Sequence, residues 1–172
     1  VKSIRPHSDL FFDVHLMVSN PFGMVPAFID AGADAISFHI EAAEPRFTFP
    51  PKIIINTIKK NNLRCGIAIK PKTPFKVVEK YLSFIDYIVI MSVEPGFGGQ
   101  SFIPSTLEKI ASIDATLKEK NMRDKIAIQV DGGIKMHNAK EVIDAGTDIL
   151  VAGSEVFKSD NPIETINKMY NL

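Results

Sequence analysis

The chain has 172 residues, 45% of them apolar, and its 20 Lys and Arg are balanced by 20 Asp and Glu. That supports one domain with a substantial core, and the mixed charge points away from nucleic-acid and membrane-surface partners. No apolar run approaches the roughly 20 residues that span a bilayer and no signal-peptide pattern is visible. A single cysteine, Cys65, excludes an internal disulfide and suits a reducing, cytoplasmic setting.

Along the chain, β-branched apolar runs alternate with amphipathic stretches. Strands are expected over 11–18, 35–40, 64–70, 87–93, 126–130 and 149–152, with helices near 22–31, 51–61, 75–84, 105–120, 138–145 and 162–170. Such alternation predicts parallel βαβ units with right-handed crossovers. An internal echo supports it: Asp30-Ala-Gly-Ala-Asp34 and Asp144-Ala-Gly-Thr-Asp148 both fall where a helix should end and a strand begin. Gly32 and Gly146 then take the left-handed position after the helix. Asn161-Pro-Ile-Glu164 reads as an N-cap, a proline at the first helical position and a glutamate at the third.

Six units at about 29 residues each fall short of the eight that close a (β/α)₈ barrel, which would need roughly 230 residues. The rival is an open doubly wound sheet, complete with five or six strands. Three strands run into glycine-rich turns: Met91-Ser-Val-Glu-Pro-Gly-Phe-Gly-Gly-Gln100, Ile128-Gln-Val-Asp-Gly-Gly-Ile134 and Ile149-Leu-Val-Ala-Gly-Ser154. Each glycine by itself could serve only a tight turn. Three such turns on successive strands are better explained by backbone N–H groups facing a phosphate, and phosphate loops on the last strands favour the barrel. The expectation is therefore a single (β/α)₈ TIM-barrel domain over 1–172, N-terminally incomplete, with about six of its eight units.

Polar residues interrupt strands that should be apolar. Asp13, His15 and Met17 share one face by the two-residue period, and Gln129 and Asp131 share another. His15 and Asp131, nearest the C-terminal strand ends, point toward a catalytic mouth; Asp13 and Gln129 read as hydrogen-bonded structural residues. A strand histidine is more often a satisfied core residue, an aspartate before Gly-Gly often only caps the turn, and Met17 and Met91 fit as core filler. His39 and Glu41 end the second visible strand and could support the site. His7 and His137 read as surface residues, and Cys65 as a small core residue. One imidazole, one carboxylate and glycine loops suggest proton transfer on a small phosphorylated substrate. His15 and Asp131 suit zinc, iron(II), manganese or cobalt, but two protein ligands do not complete a metal centre.

At these residues the sequence resembles the ribulose-phosphate 3-epimerase family, in its eukaryotic form. The likeness runs in order through His15-Leu-Met-Val18, His39-Ile-Glu41, Gly66-Ile-Ala-Ile-Lys-Pro-Lys-Thr-Pro74, Met91 to Gln100, Val130-Asp-Gly-Gly-Ile134 and Val151-Ala-Gly-Ser154. The resemblance implies a ribulose-phosphate-binding (β/α)₈ barrel that interconverts D-ribulose 5-phosphate and D-xylulose 5-phosphate in the pentose phosphate pathway. It implies one divalent metal, with His15 as ligand and Asp131 as both ligand and one of two catalytic carboxylates. Met17 and Met91 would line the space beside the enediolate. Gly96, Phe97, Gly98 and Gly99 correspond to a substrate-covering loop, and Gly132, Gly133, Gly153 and Ser154 to the phosphate cradle. The family's first two strands carry a serine and a His-x-Asp-x-Met-Asp-Gly segment, absent here, with two further ligands and the second acid/base. Val1-Lys-Ser-Ile-Arg-Pro6 resembles the family's sequence immediately C-terminal to that segment. On that reading the 172 residues by themselves are expected to be inactive. Glu155 departs from the small residue common after Gly-Ser in the family, and family members are commonly oligomeric. Two rivals are a related six-carbon phosphosugar enzyme, such as an allulose-phosphate epimerase or a hexulose-phosphate synthase, and a non-catalytic phosphate-binding module.

Overall fold

The computed structural model describes residues 1–43, 50–97 and 99–172. The chain divides into two compact units, one of residues 1–69 and 73–88, the other of residues 70–72 and 89–172.

The first unit holds β1 (Asp13–Leu16), α1 (Pro21–Asp30), β2 (Ala35–His39), α2 (Pro51–Lys60), β3 (Arg64–Ile69) and the short α3 (Lys76–Glu79). β1 pairs parallel with β2, and β2 with β3, in the registers Asp13 to Ala35 and Ala35 to Arg64. Every residue of β2 is buried, as is every residue of β3 after Arg64. Their near-continuous apolar runs are what a parallel strand covered on both faces requires. α2 buries Ile54, Ile55 and Ile58, one stripe at helical spacing.

β4 (Tyr87–Met91) gives its first two residues to the first unit and its last three to the second. The second unit continues with α4 (Thr106–Glu119), β5 (Ala127–Asp131), α5 (Met136–Asp144), β6 (Ile149–Val151), α6 (Gly153–Phe157) and α7 (Pro162–Tyr170). β5 and β6 pair parallel, Gln129 against Ile149. Within each unit the strands stand in chain order. A doubly wound sheet reverses its strand order at a switch point, whereas a barrel adds each strand beside the last. The order therefore decides for six units of the (β/α)₈ class.

One device recurs at the N-terminal ends of the strands. The residue just before β2, Asp34, accepts the Phe12 N–H at 2.7 Å; Asp86, just before β4, accepts that of Cys65 at 2.6 Å; Asp148, just before β6, accepts that of Ile128 at 2.7 Å. Each N–H sits at the start of the preceding strand or, for Phe12, just before it, so one carboxylate ties two neighbours. A cation holds each: Arg5 on Asp34, Lys59 on Asp86 and Arg123 on Asp148, at 2.7 to 2.8 Å. The sequence echo is structural too. Arg5 donates to the Gly32 carbonyl at 3.3 Å as Arg123 does to that of Gly146 at 3.0 Å, and both glycines have left-handed φ, +88° and +115°.

The helix expected over 75–84 is instead α3 followed by a 3₁₀ turn, Leu82–Phe84. Its bonds run over three residues, Tyr81 to Val78 and Phe84 to Tyr81, burying Val78 and Leu82 in a short connection. α5 starts two residues before the expected 138, because the Asn138 side chain reaches back to accept the Lys135 N–H at 2.8 Å. Residues 153–157, read only as a glycine turn, form a short helix. β1 is also shorter than the expected 11–18, ending at Leu16. Among the described residues no helix is long and apolar enough to cross a membrane.

Candidate active site

In the first unit, His15 sits one residue from the C-terminal end of β1 and His39 closes β2. Their rings stack with centroids 4.9 Å apart, and the two Nε2 atoms are 3.1 Å apart. Only one of those nitrogens can carry the hydrogen between them. His39 is 5% exposed, and its Nδ1 lies 3.3 Å from Glu41 Oε2; the Thr73 hydroxyl donates to the other Glu41 oxygen. The parallel register of β1 and β2 places both imidazoles at one strand end. His39 and Glu41 thus contact the candidate ligand His15 directly or in series, and the His-Ile-Glu spacing at a strand end was the signal for them. Asp13 accepts the Tyr87 hydroxyl at 2.6 Å, as expected for a structural residue. Met17, beyond the strand, is 46% exposed.

In the second unit, Met91 is buried at the end of β4 and Asp131 is the last residue of β5. The Ser92 N–H donates to the Asp131 carbonyl at 2.9 Å, and its hydroxyl donates to the Gly132 carbonyl at 2.5 Å. These bonds join the two strand ends and fix the peptide that follows Asp131. Gly132 and Gly133 have φ of +120° and +65°. A Cβ on Gly132 would lie 2.4 Å from the Val93 side chain, and one on Gly133 would lie 2.3 Å from the Phe102 backbone nitrogen. Only glycine fits this turn. Gly96 and Gly99 also have positive φ but open space around them, and Phe97 is 86% exposed. The Gln100 side chain donates to the carbonyls of Glu94 and Phe97, at 2.6 and 2.8 Å, closing this loop on itself. Gly98 lies outside the described residues.

Gly153 and Ser154 open α6. Ser154 Oγ lies 3.1 Å from the Lys135 ammonium, which is also 3.2 Å from Glu155 Oε2. The other Glu155 oxygen accepts the Met136 N–H at 3.1 Å. That N–H first, and the Lys135 ammonium with it, outweigh burial and hold the Glu155 carboxyl below the usual carboxylate range. Glu155, the departure from the family pattern, is therefore engaged and not merely solvent-facing; the sequence offered no signal for its pairing with Lys135.

Among the described residues no group of three or more His, Cys, Asp and Glu is placed to hold a metal ion. His15 offers an imidazole and Asp131 a carboxylate, two donors where a dependable zinc-type centre takes three or four. The described residues do not make a complete metal centre by themselves.

Parallel strand–helix units in barrel order, with a carboxylate and glycine turns at the C-terminal strand ends, define a protein of the (β/α)₈-barrel class. The sequence profile described as the Ribulose-phosphate 3 epimerase family matches residues 1–157, and the chain belongs to that family. It is 41% identical to the ribulose-phosphate 3-epimerase of Chlamydia pneumoniae over 94% of this chain and 68% of the relative. It is 39% identical to that of Bacillus subtilis over 98% and 75%. It is 43% identical to the chloroplastic ribulose-5-phosphate-3-epimerase of Arabidopsis thaliana over 96% and 57%. Among solved structures, KGPDC from Streptococcus mutans in complex with D-R5P aligns with a TM-score of 0.71 at 14% identity, over 99% of this chain and 76% of that one. A 3-hexulose-6-phosphate synthase aligns with a TM-score of 0.63 at 16% identity, over 99% and 76%. Those two share the fold alone.

Proposed function

We propose that the protein interconverts D-ribulose 5-phosphate and D-xylulose 5-phosphate, with Asp131 as one of the two carboxylates that move the C3 proton. Family membership supports the reaction, and one observation carries the residue assignment. Asp131 ends β5 and is followed at once by the Gly132-Gly133 turn, so one strand end presents both a carboxylate and the glycine turn assigned to the phosphate. In a pentulose phosphate the reacting C3 and the phosphate lie on one short chain, which suits that adjacency. Asp131 takes the C3 proton, the C3–H electrons form the enediolate with the C2 carbonyl, and a carboxylate on the opposite face returns a proton to C3. Inversion follows from the use of two faces.

Gly132, Gly133, Gly153 and Ser154 are assigned to the phosphate end, and Gly96, Phe97, Gly98 and Gly99 to the covering loop. Met17 and Met91 are assigned as apolar lining. His15 and Asp131 are assigned as two ligands of a divalent zinc, iron(II), manganese or cobalt ion, which would polarise the carbonyl and its neighbouring hydroxyl. The buried, unpaired Cys65 supports placement in a reducing cytoplasm.

The deciding experiment is exchange of the C3 proton with deuterated water by the Asp131→Asn enzyme. Loss of exchange and turnover, with the circular dichroism unchanged, is expected. Retained exchange would remove Asp131 as the acid/base.

A further inference from the structure

The donors assigned to the phosphate end are neutral, peptide N–H groups and one hydroxyl, whereas a phosphate monoester carries about −1.5 to −2 charges at neutral pH. Lys135 brings a full positive charge to the same place, its ammonium 3.1 Å from Ser154 Oγ. We propose that Lys135 is a substrate-binding residue whose ammonium contacts the phosphate beside Ser154, and that Glu155 positions it and moderates its charge. This deepens the phosphate assignment above and rests on it.

Two features position the lysine. Its backbone is tied to the glycine turn: the Lys135 N–H donates to Asn138 Oδ1 at 2.8 Å, and the Asn138 amide donates to the Gly133 carbonyl at 3.0 Å. Its side chain is held by Glu155, which uses one oxygen on the Met136 N–H and the other on the ammonium. An unrestrained lysine would spread over many rotamers, and a compact ammonium binds phosphate as a point charge once it is held in reach. The carboxylate has an opposing effect, because it places a negative charge next to the arriving anion. Glu155 therefore lowers phosphate affinity while keeping the lysine in place, which favours release of a phosphorylated product.

The test is made on the intact enzyme by calorimetric titration with inorganic phosphate, alongside KM and kcat for D-ribulose 5-phosphate. Lys135→Gln is expected to weaken phosphate binding about tenfold, the scale of one charge-assisted hydrogen bond, with a shallower dependence on ionic strength. The kinetic loss should fall on KM rather than kcat, and Lys135→Arg should restore most of it. Glu155→Gln keeps an acceptor for the Met136 N–H and removes the charge, so phosphate should bind several-fold tighter. Unchanged phosphate affinity in Lys135→Gln would overturn the proposal, as would weaker binding in Glu155→Gln. Ser154→Asp separates the two assignments. If it abolishes phosphate binding while Lys135→Gln does nothing, only the lysine assignment fails. If it binds phosphate like the parent, the phosphate end lies elsewhere and both fail.

Discussion

His39 lays its imidazole against that of His15, the two Nε2 atoms 3.1 Å apart, with Glu41 on the far side of the His39 ring. A ring held by a carboxylate on one nitrogen restricts which tautomer the next ring adopts. His39→Leu is expected to lower kcat and to destabilise the fold by about 1–3 kcal/mol, because the Glu41 carboxylate loses a partner in a largely buried place. His39→Gln, which can still donate to Glu41, should recover part of both. Urea midpoints and kcat measured on the two variants decide it; equal losses would show that only the ring's volume matters.

Gly66 lies under the ring of Tyr87. A Cβ there would sit 2.5 Å from two Tyr87 ring carbons, and Tyr87 is 2% exposed with its hydroxyl on Asp13. Pushing the ring aside would strain that bond. Gly66→Ala is expected to cost about 1–3 kcal/mol, the usual penalty for overpacking, and to lower Tm by several degrees. Differential scanning calorimetry checks this, and an unchanged Tm would mean the ring yields freely.

Asp114 lies 2.6 Å from both the Lys118 ammonium and Arg123 Nε. Burial raises its pKa, but the two cations outweigh burial and hold the carboxyl below the ordinary carboxylate range. The folded state therefore binds this proton less readily than the unfolded state does. The resulting stability is present above the unfolded value of about 4 and is lost as pH falls through the lower folded value. Urea midpoints taken from neutral pH down to about pH 2 should fall less steeply for Asp114→Asn than for the parent, the parent's excess loss lying below pH 4. Parallel acid limbs would remove Asp114 from the acid response.

Cys65 is fully buried in β3, and burial first, with the Asp86 carboxylate added, pushes its thiol up to about 12. A thiol reagent needs both access and thiolate, and this site offers neither. At pH 8 in native buffer the thiol is expected to react only as fast as the fold opens, and at once in denaturant. Rapid native labelling would show that β3 opens locally.

The alternation of apolar runs and amphipathic stretches was legible because each element has its own period, and strand starts such as Ala35, Arg64, Tyr87 and Ile149 fall where periodicity predicts them. Asn161 caps α7, accepting the Glu164 N–H at 3.2 Å, because capping depends on neighbours within one turn. The stretch 75–84 differs from its sequence pattern for the opposite reason. Its residues allow a helix, but after α3 the bonds shorten to three-residue steps and the chain enters β4 through Asp86, held on the Cys65 N–H of a strand far back in sequence.

Six strand–helix units, the glycine turns, and His15, His39 and Asp131 at or beside strand ends can all be read along the chain. Those follow from local periodicity and from the residue types a strand end tolerates. Which distant side chains meet depends instead on the folded arrangement. The pairing of Lys135 with Ser154 and Glu155, the seat of Tyr87 on Gly66 and Asp13, and the three aspartates that clasp neighbouring strands all join residues at least 19 apart. Such contacts depend on strand register and on helices returning the chain beside itself, and no local pattern encodes that geometry.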